Sequence, residues 1–135
     1  MSKMSDYLEV QLRAHIFRTA SFTKPTALWI SLHTADPTDV GNGAEATYGG
    51  YVRVQRDPLD ANWTAVSATD GNTDNAAAIT WPACTSGSNL VTHFAIFDAS
   101  TAGNMICYGT LTNSQTVSTG VTPSFAIGAL DITFA

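Results

Sequence analysis

The chain has 135 residues, 44% of them hydrophobic and only 13% charged, with a net charge of −5. That length suits a single domain with a real core. An acidic, lysine-poor chain offers no footprint for a phosphate backbone, and no apolar run approaches the roughly 18–20 residues that cross a bilayer, so direct nucleic-acid binding and membrane insertion are set aside. The N-terminal stretch MSKMSDYLEV carries charge and no apolar h-region. A secretory signal is therefore not expected, and synthesis is placed in the cytosol.

Residues 6–19 read as the one helix. Asp6 can cap it, and Glu9 three positions on can reach back as in a capping box. Leu8, Leu12 and Ile16 recur every fourth residue, with Val10, Ala14 and Phe17 widening the apolar side. Lys24-Pro25 closes the segment, since the residue before a proline disfavours helix.

After Pro25 the period becomes two. Leu28, Ile30 and Leu32 alternate with Trp29, Ser31 and His33, which predicts a strand with the first set inward. Residues 36–50 form a long loop, and 51–55 resume as a strand with Val52 and Val54 on one face. Residues 62–68 and 76–81 are weaker strands. In LVTHFAIFD (residues 90–98) apolar residues occupy both parities, the mark of a strand covered on both sides. The turn ASTAGN then joins it to a strand over 105–111 as a hairpin, and 115–118 reads as a short edge. In SFAIGALDITFA the apolar phase shifts at Gly128. One extra residue at a glycine predicts a bulge that restores Phe125, Ile127, Leu130, Ile132 and Phe134 to one face of a single C-terminal strand. The sum is a mainly β protein: an antiparallel sandwich or jelly roll of about seven or eight strands with one N-terminal helix. Residues 1–24 form a helical arm, and 25–135 form the sandwich.

Chemistry-bearing clusters are sparse. His33, Asp36 and Asp39 lie close in sequence, but Asp-Pro favours a turn, and an aspartate there can bond backbone N–H groups two residues on. A zinc site would want further ligands. His93 on another strand is the one candidate, which leaves a hydrolase built on His33, His93 and Asp36 remote. DGNTDN over 70–75 begins like a calcium loop, but Asn75 and Trp81 stand where the EF-hand needs glycine and glutamate, so a polar turn is expected. There is no GxSxG elbow and no phosphate loop. Cys84 and Cys107, far apart in a cytosolic chain, are expected to be reduced and buried. The expectation is a protein that is not an enzyme and needs no cofactor. The residues assigned to an interaction surface are Asp36, Asp39 and Glu45 in the long loop, with Tyr48, Gly49, Gly50 and Tyr51 after it. Paired glycines allow close approach, and tyrosine favours contacts that are apolar on one side and wet on the other. A second possibility is a carbohydrate-binding module for host glycans, using Trp29, Trp63, Trp81 and Tyr48 as stacking rings.

Four pieces, SDYLEVQLRAHIFR, LWISLHTADPTDVGNGAEATYGGYVRV, VTHFAIFDASTAGNMICYGTL and GALDITFA, resemble in order and spacing a family of small tailed-bacteriophage virion proteins of the tail-fibre type. The resemblance covers most of the chain. It implies a β-sandwich made in the bacterial cytoplasm and carried on the virion, as a capsid cement or decoration protein or as a tail-fibre or tail-tip subunit. It implies a homo-oligomer, trimer or dimer, whose other partners are capsid or tail proteins. It transfers no catalytic residue. In that family pattern the position of His33 is often aromatic or apolar, which implies that His33 packs rather than reacts.

Overall fold

In the computed structural model, which describes residues 2–134, the chain runs β1 (Ser2–Met4), α1 (Asp6–Phe17), β2 (Trp29–His33), β3 (Val54–Gln55), β4 (Thr73–Asp74), β5 (Ile79–Thr80), β6 (Ser88–Phe97), β7 (Met105–Ser118), β8 (Ser124–Phe125) and β9 (Asp131–Ile132). Five strands form one antiparallel sheet in the order β1-β7-β6-β2-β3, while β4-β9 and β5-β8 are two-stranded ribbons. The architecture is mainly β and sandwich-like, as expected. Its second layer differs from a jelly roll: two short ribbons and their loops cover the sheet in place of a second full sheet.

Alternation explains the sheet. Ile30 and Leu32 of β2 pair with Ile96 and Phe94 of β6, and Ile96 pairs in turn with Cys107 of β7. Partners across an antiparallel ladder share a face, and this face forms the main core with Ile79, Trp81, Cys84, Leu130 and Ile132 from the ribbon side. The other parity is buried as well. Ala95, Phe97, Met105 and Tyr108 form a second cluster, and Ser31 and His33 are buried beside it. The two-sided burial expected of residues 90–98 is therefore present, and it extends to β2.

The β6–β7 hairpin is held by Asp98, whose carboxylate accepts from both the backbone N–H and the side-chain amide of Asn104, at 2.7 and 2.8 Å. The second strand is longer than expected: 105–111 and 115–118 belong to one β7. Thr110 faces His93 whereas Gln115 faces Val91, so the ladder shifts and residues 111–114 swing out of register.

Several expectations need correction. The helix ends at Phe17 instead of residue 19, and its cap is Ser5 rather than Asp6: the Ser5 hydroxyl accepts from the Leu8 N–H at 3.2 Å and donates to the Met105 carbonyl. Asp6 and Glu9 occupy the first turn, where the helix dipole favours negative charge. The apolar side is buried only at its start. Leu8 is enclosed, whereas Ile16 and Phe17 are 66% and 79% exposed. Residues 2–4, read only as part of a helical arm, form β1 and pair with Cys107–Gly109 in the main sheet; three residues are too few to show a period. Residues 62–68 form no strand, only a single bridge from Trp63 to Asn75, and the strands expected over 51–55 and 76–81 shrink to β3 and β5.

The largest correction lies at the C-terminus. Gly128, with φ +70°, sits in a turn between two strands that belong to different ribbons, and no single bulged strand forms. Buried Asn75 holds that turn. Its carbonyl accepts from Gly128 N–H, its side-chain oxygen from Leu130 N–H, and its amide donates to the Ala126 carbonyl. Leu130 and Ile132 point inward, while Ile127 is exposed. The phase shift is real, but its cause is a turn.

Among the described residues no helix is long and apolar enough to cross a membrane. Cys84 and Cys107 are buried and unpaired, and burial pushes the Cys107 thiol up to about 12.

Candidate functional site

The loop after β2 is built by local chemistry. The Asp36 carboxylate accepts from Thr38 N–H at 2.8 Å, the turn its position before Pro37 suggests. Pro37 is buried, and Gly43 lies against it so closely that a Cβ on Gly43 would fall 2.3 Å from Pro37 Cα. Asp39 works twice: its carbonyl accepts from Asp6 N–H at 3.0 Å, and its carboxylate accepts from the Tyr108 hydroxyl. The loop thus clamps the start of α1 onto the sheet. The side chains of Asp36 and Asp39 remain at the exposed surface.

Glu45 bridges back to His33 and starts a polar cluster. Arg53 donates from Nε and a terminal nitrogen to the two Glu45 oxygens, both at 2.9 Å, and the Tyr51 hydroxyl donates to Glu45 at 2.8 Å. The same Tyr51 oxygen accepts from Leu32 N–H at 3.0 Å. The other end of Arg53 donates to the carbonyls of Ala99 and Ala102 in the hairpin turn, and its guanidinium lies 3.8 Å over the Phe97 ring. One arginine therefore ties the long loop, β3 and the β6–β7 turn together. The planar fork makes this a bidentate contact that lysine cannot copy.

Burial alone would push the Glu45 carboxyl up. The bonds from Arg53 and Tyr51 outweigh it and hold the group below its ordinary value of 4.5. Burial, with the Glu45 charge beside it, pushes the Tyr51 phenol far up, so it stays protonated and able to donate.

His33 stacks on Phe97 at 6.3 Å. Ser31 Oγ lies 2.9 Å from His33 Nε2 and 3.1 Å from the Ala95 carbonyl. Ser31 thereby links the imidazole to the backbone of β6. Nδ1 is left buried without a partner. Burial lowers the pKa of His33 below 6.5, with the nearby Glu45 charge opposing, so the ring is neutral. His33 and His93 are direct partners across β2 and β6, a proximity the sequence did not reveal. Among the described residues no group of three or more histidine, cysteine or acidic side chains is placed to hold a metal.

The Tyr48-Gly49-Gly50-Tyr51 stretch turns its rings inward. Tyr48 is buried, and its hydroxyl donates to the Pro82 carbonyl at 3.2 Å. Asn89 Oδ1 accepts from the Thr47 and Tyr48 N–H groups. Gly49 exchanges backbone bonds with Thr85 and Ser86 at 2.8–2.9 Å. Of the four, Gly50 is the exposed one, with φ +88°. The rings proposed for sugar stacking are dispersed by burial: Trp81 and Tyr48 are enclosed, and Trp29 and Trp63 are half-buried.

A Cβ on Gly49 would meet Ser86 Oγ at 2.2 Å and Ser86 N at 3.0 Å. Gly49→Ala is therefore expected to prise the loop from residues 85–86 and to cost about 1–3 kcal/mol, the range for overpacking. A melting temperature unchanged within about 2 °C in thermal denaturation would show that the loop yields freely.

Sequence reasoning missed Arg53, Ser31, Asn75, Asn89 and Tyr108. Arg53 carried a signal, a lone cation in an otherwise apolar strand stretch (YVRVQ). Asn75, Asn89 and Tyr108 act through contacts distant in sequence, and Ser31 joins neighbouring His33 to Ala95, 64 residues on.

A sheet faced by ribbons, with its polar side chains bonded to one another and to loop carbonyls, defines a β-rich structural module. A family comparison specifies the class. The model of the family described as Podophage GP4 fiber I protein gp80 matches residues 3–133, and the chain belongs to that family of phage fibre structural proteins. No curated protein matches the chain.

Proposed function

We propose that the chain is a non-enzymatic subunit of a podophage fibre that associates with itself and binds neighbouring virion proteins. The observation that carries the reading is the family match over residues 3–133. The structure supports it physically: Glu45, Tyr51, Arg53 and His33, the groups best suited to chemistry, are turned to fastening the fold. Assembly takes place in the host cytoplasm, and the protein leaves on the virion. The contact surface we assign comprises Asp36, Asp39, Glu45 and the Tyr48–Tyr51 stretch, where Asp36, Asp39 and Gly50 are exposed and the buried members set the shape beneath. The exposed Ile16 and Phe17 on α1 add an apolar patch to the same molecule.

Gold-labelled antibody against the protein, applied to intact particles, should decorate the fibres. Labelling spread over the head would replace this reading with capsid decoration. Tight binding of the isolated protein to immobilised saccharides would favour glycan capture instead.

A further inference from the structure

The two edges of the main sheet differ. At one edge β3 has two residues, Val54 and Gln55, flanked by Arg53 and Arg56. Shortness and charge are ordinary ways of keeping an edge from pairing with another chain. At the other edge β1 covers only Cys107–Gly109 of the 14-residue β7. Beyond it, among the described residues, no backbone hydrogen bond outside the β6 ladder reaches residues 111–117, and Thr112, Asn113, Ser114, Gln115 and Thr116 are all exposed. The open stretch of β7, residues 111–118, has no charged residue and no proline. Its one blunting device is the excursion at 111–114, which leaves Gln115–Ser118 regular and open.

Charge distribution points to what pairs there. No charged residue occurs from 99 to 130. Copies of a chain with net charge −5 repel one another over most of their surface, and the stretch that carries β7 is where they approach without like charges meeting. We propose that the outer edge of β7, from Leu111 to Ser118, is a strand-pairing interface for a second copy of this chain. Two identical edges pair antiparallel about a two-fold axis, giving an isologous contact. Threonine and serine side chains form favourable cross-strand pairs in such a ladder. A cleft of about 520 Å³ opens along the same segment, between Thr110–Val117 and Val121–Phe125, over Trp81 and Phe94. A strand added at β7 would cover its mouth and the exposed side of Val121.

The inference rests on the self-association reading, and the experiment separates the two. Native mass spectrometry and light scattering over a concentration series should show wild-type dimers or their multiples. Thr112→Lys/Thr116→Lys places like charges across the two-fold axis and should weaken the dimer about tenfold or more. Both threonines are exposed, and neither side chain is bonded within the described residues of the subunit, so the fold should stand. As a control, Thr26→Lys, exposed and far in sequence, should leave the dimer unchanged. Mixing the double-lysine variant with Thr112→Glu/Thr116→Glu should restore a dimer that neither forms alone, and amide exchange over residues 112–117 should slow as concentration rises. A dimer indifferent to both charge variants would overturn this interface and keep self-association. A wild type that stays monomeric would overturn both.

Discussion

Arg53→Ala should lower stability by about 3 kcal/mol, the lower end of the range for breaking a buried ion pair. The lower end applies because the Arg53 side chain is 7% exposed but that of Glu45 is 29% exposed, so water compensates part of the stranded charge. The loss combines the bidentate Glu45 contact, two bonds to the hairpin turn and the packing on Phe97. Arg53→Lys keeps the charge and loses the fork, so it should recover less than half. Urea titration of the two variants checks this, and a cost under about 1 kcal/mol for Arg53→Ala would show that the cluster is solvated rather than structural. The same cluster sets the response to acid. His33 has its folded pKa below 6.5, so the unfolded chain takes up the proton first, and the stability His33 contributes above that pH declines as the pH falls beneath it. Glu45 has its folded pKa below 4.5, so its contribution is present above that value and is lost as pH falls through the lower folded one. Wild type should weaken in two stages, first below about 6.5 and then below about 4.5. Arg53→Ala should flatten the second stage, and His33→Phe should flatten the first.

Trp81→Ala should cost about 3–5 kcal/mol, the range for deleting a large core aromatic. Trp81 is 1% exposed. It meets Phe125 edge-on at 5.3 Å, and its backbone N–H donates to the Pro123 carbonyl at 2.9 Å; both contacts close the β5-β8 ribbon, while its side chain belongs to the core it shares with Ile30, Phe94 and Ile96 of the main sheet. Its indole N–H is buried without a partner, an arrangement that itself costs free energy. Trp81→Phe removes that group and keeps an aromatic ring, so it should cost less than about 1.5 kcal/mol. Equal losses in the two variants, measured by denaturant unfolding, would mean that the indole N–H is satisfied after all.

What could be read in the sequence follows the range over which each signal acts. Alternation across Leu28–His33 and double-sided hydrophobicity in LVTHFAIFD are local, and both produced correct strands. The Asp36 turn was legible because an aspartate before a proline solves its own hydrogen bonding. The C-terminus was misread because one phase shift has two physical solutions, a bulge or a turn. The choice between them is made by Asn75, which lies 51 and 55 residues from the groups it bonds at Ala126 and Leu130. The inward rings of Tyr48 and Tyr51 were hidden for a similar reason: Pro82, Asn89 and Leu32 orient them. His33 paired with His93 because two strands happen to align in register, and no spacing in the sequence encodes that alignment.

Ser2 gives the fold another property. Its hydroxyl donates to the Thr133 carbonyl at 2.6 Å and accepts from the Thr133 N–H at 2.8 Å. The path of the backbone therefore closes almost into a loop, with entry and exit at one corner. Anything joined to either end, whether a tag, a linker or another protein, would leave from that same corner. Ser2 stands opposite Gly109, so a group joined before it would begin beside the near end of the open β7 edge.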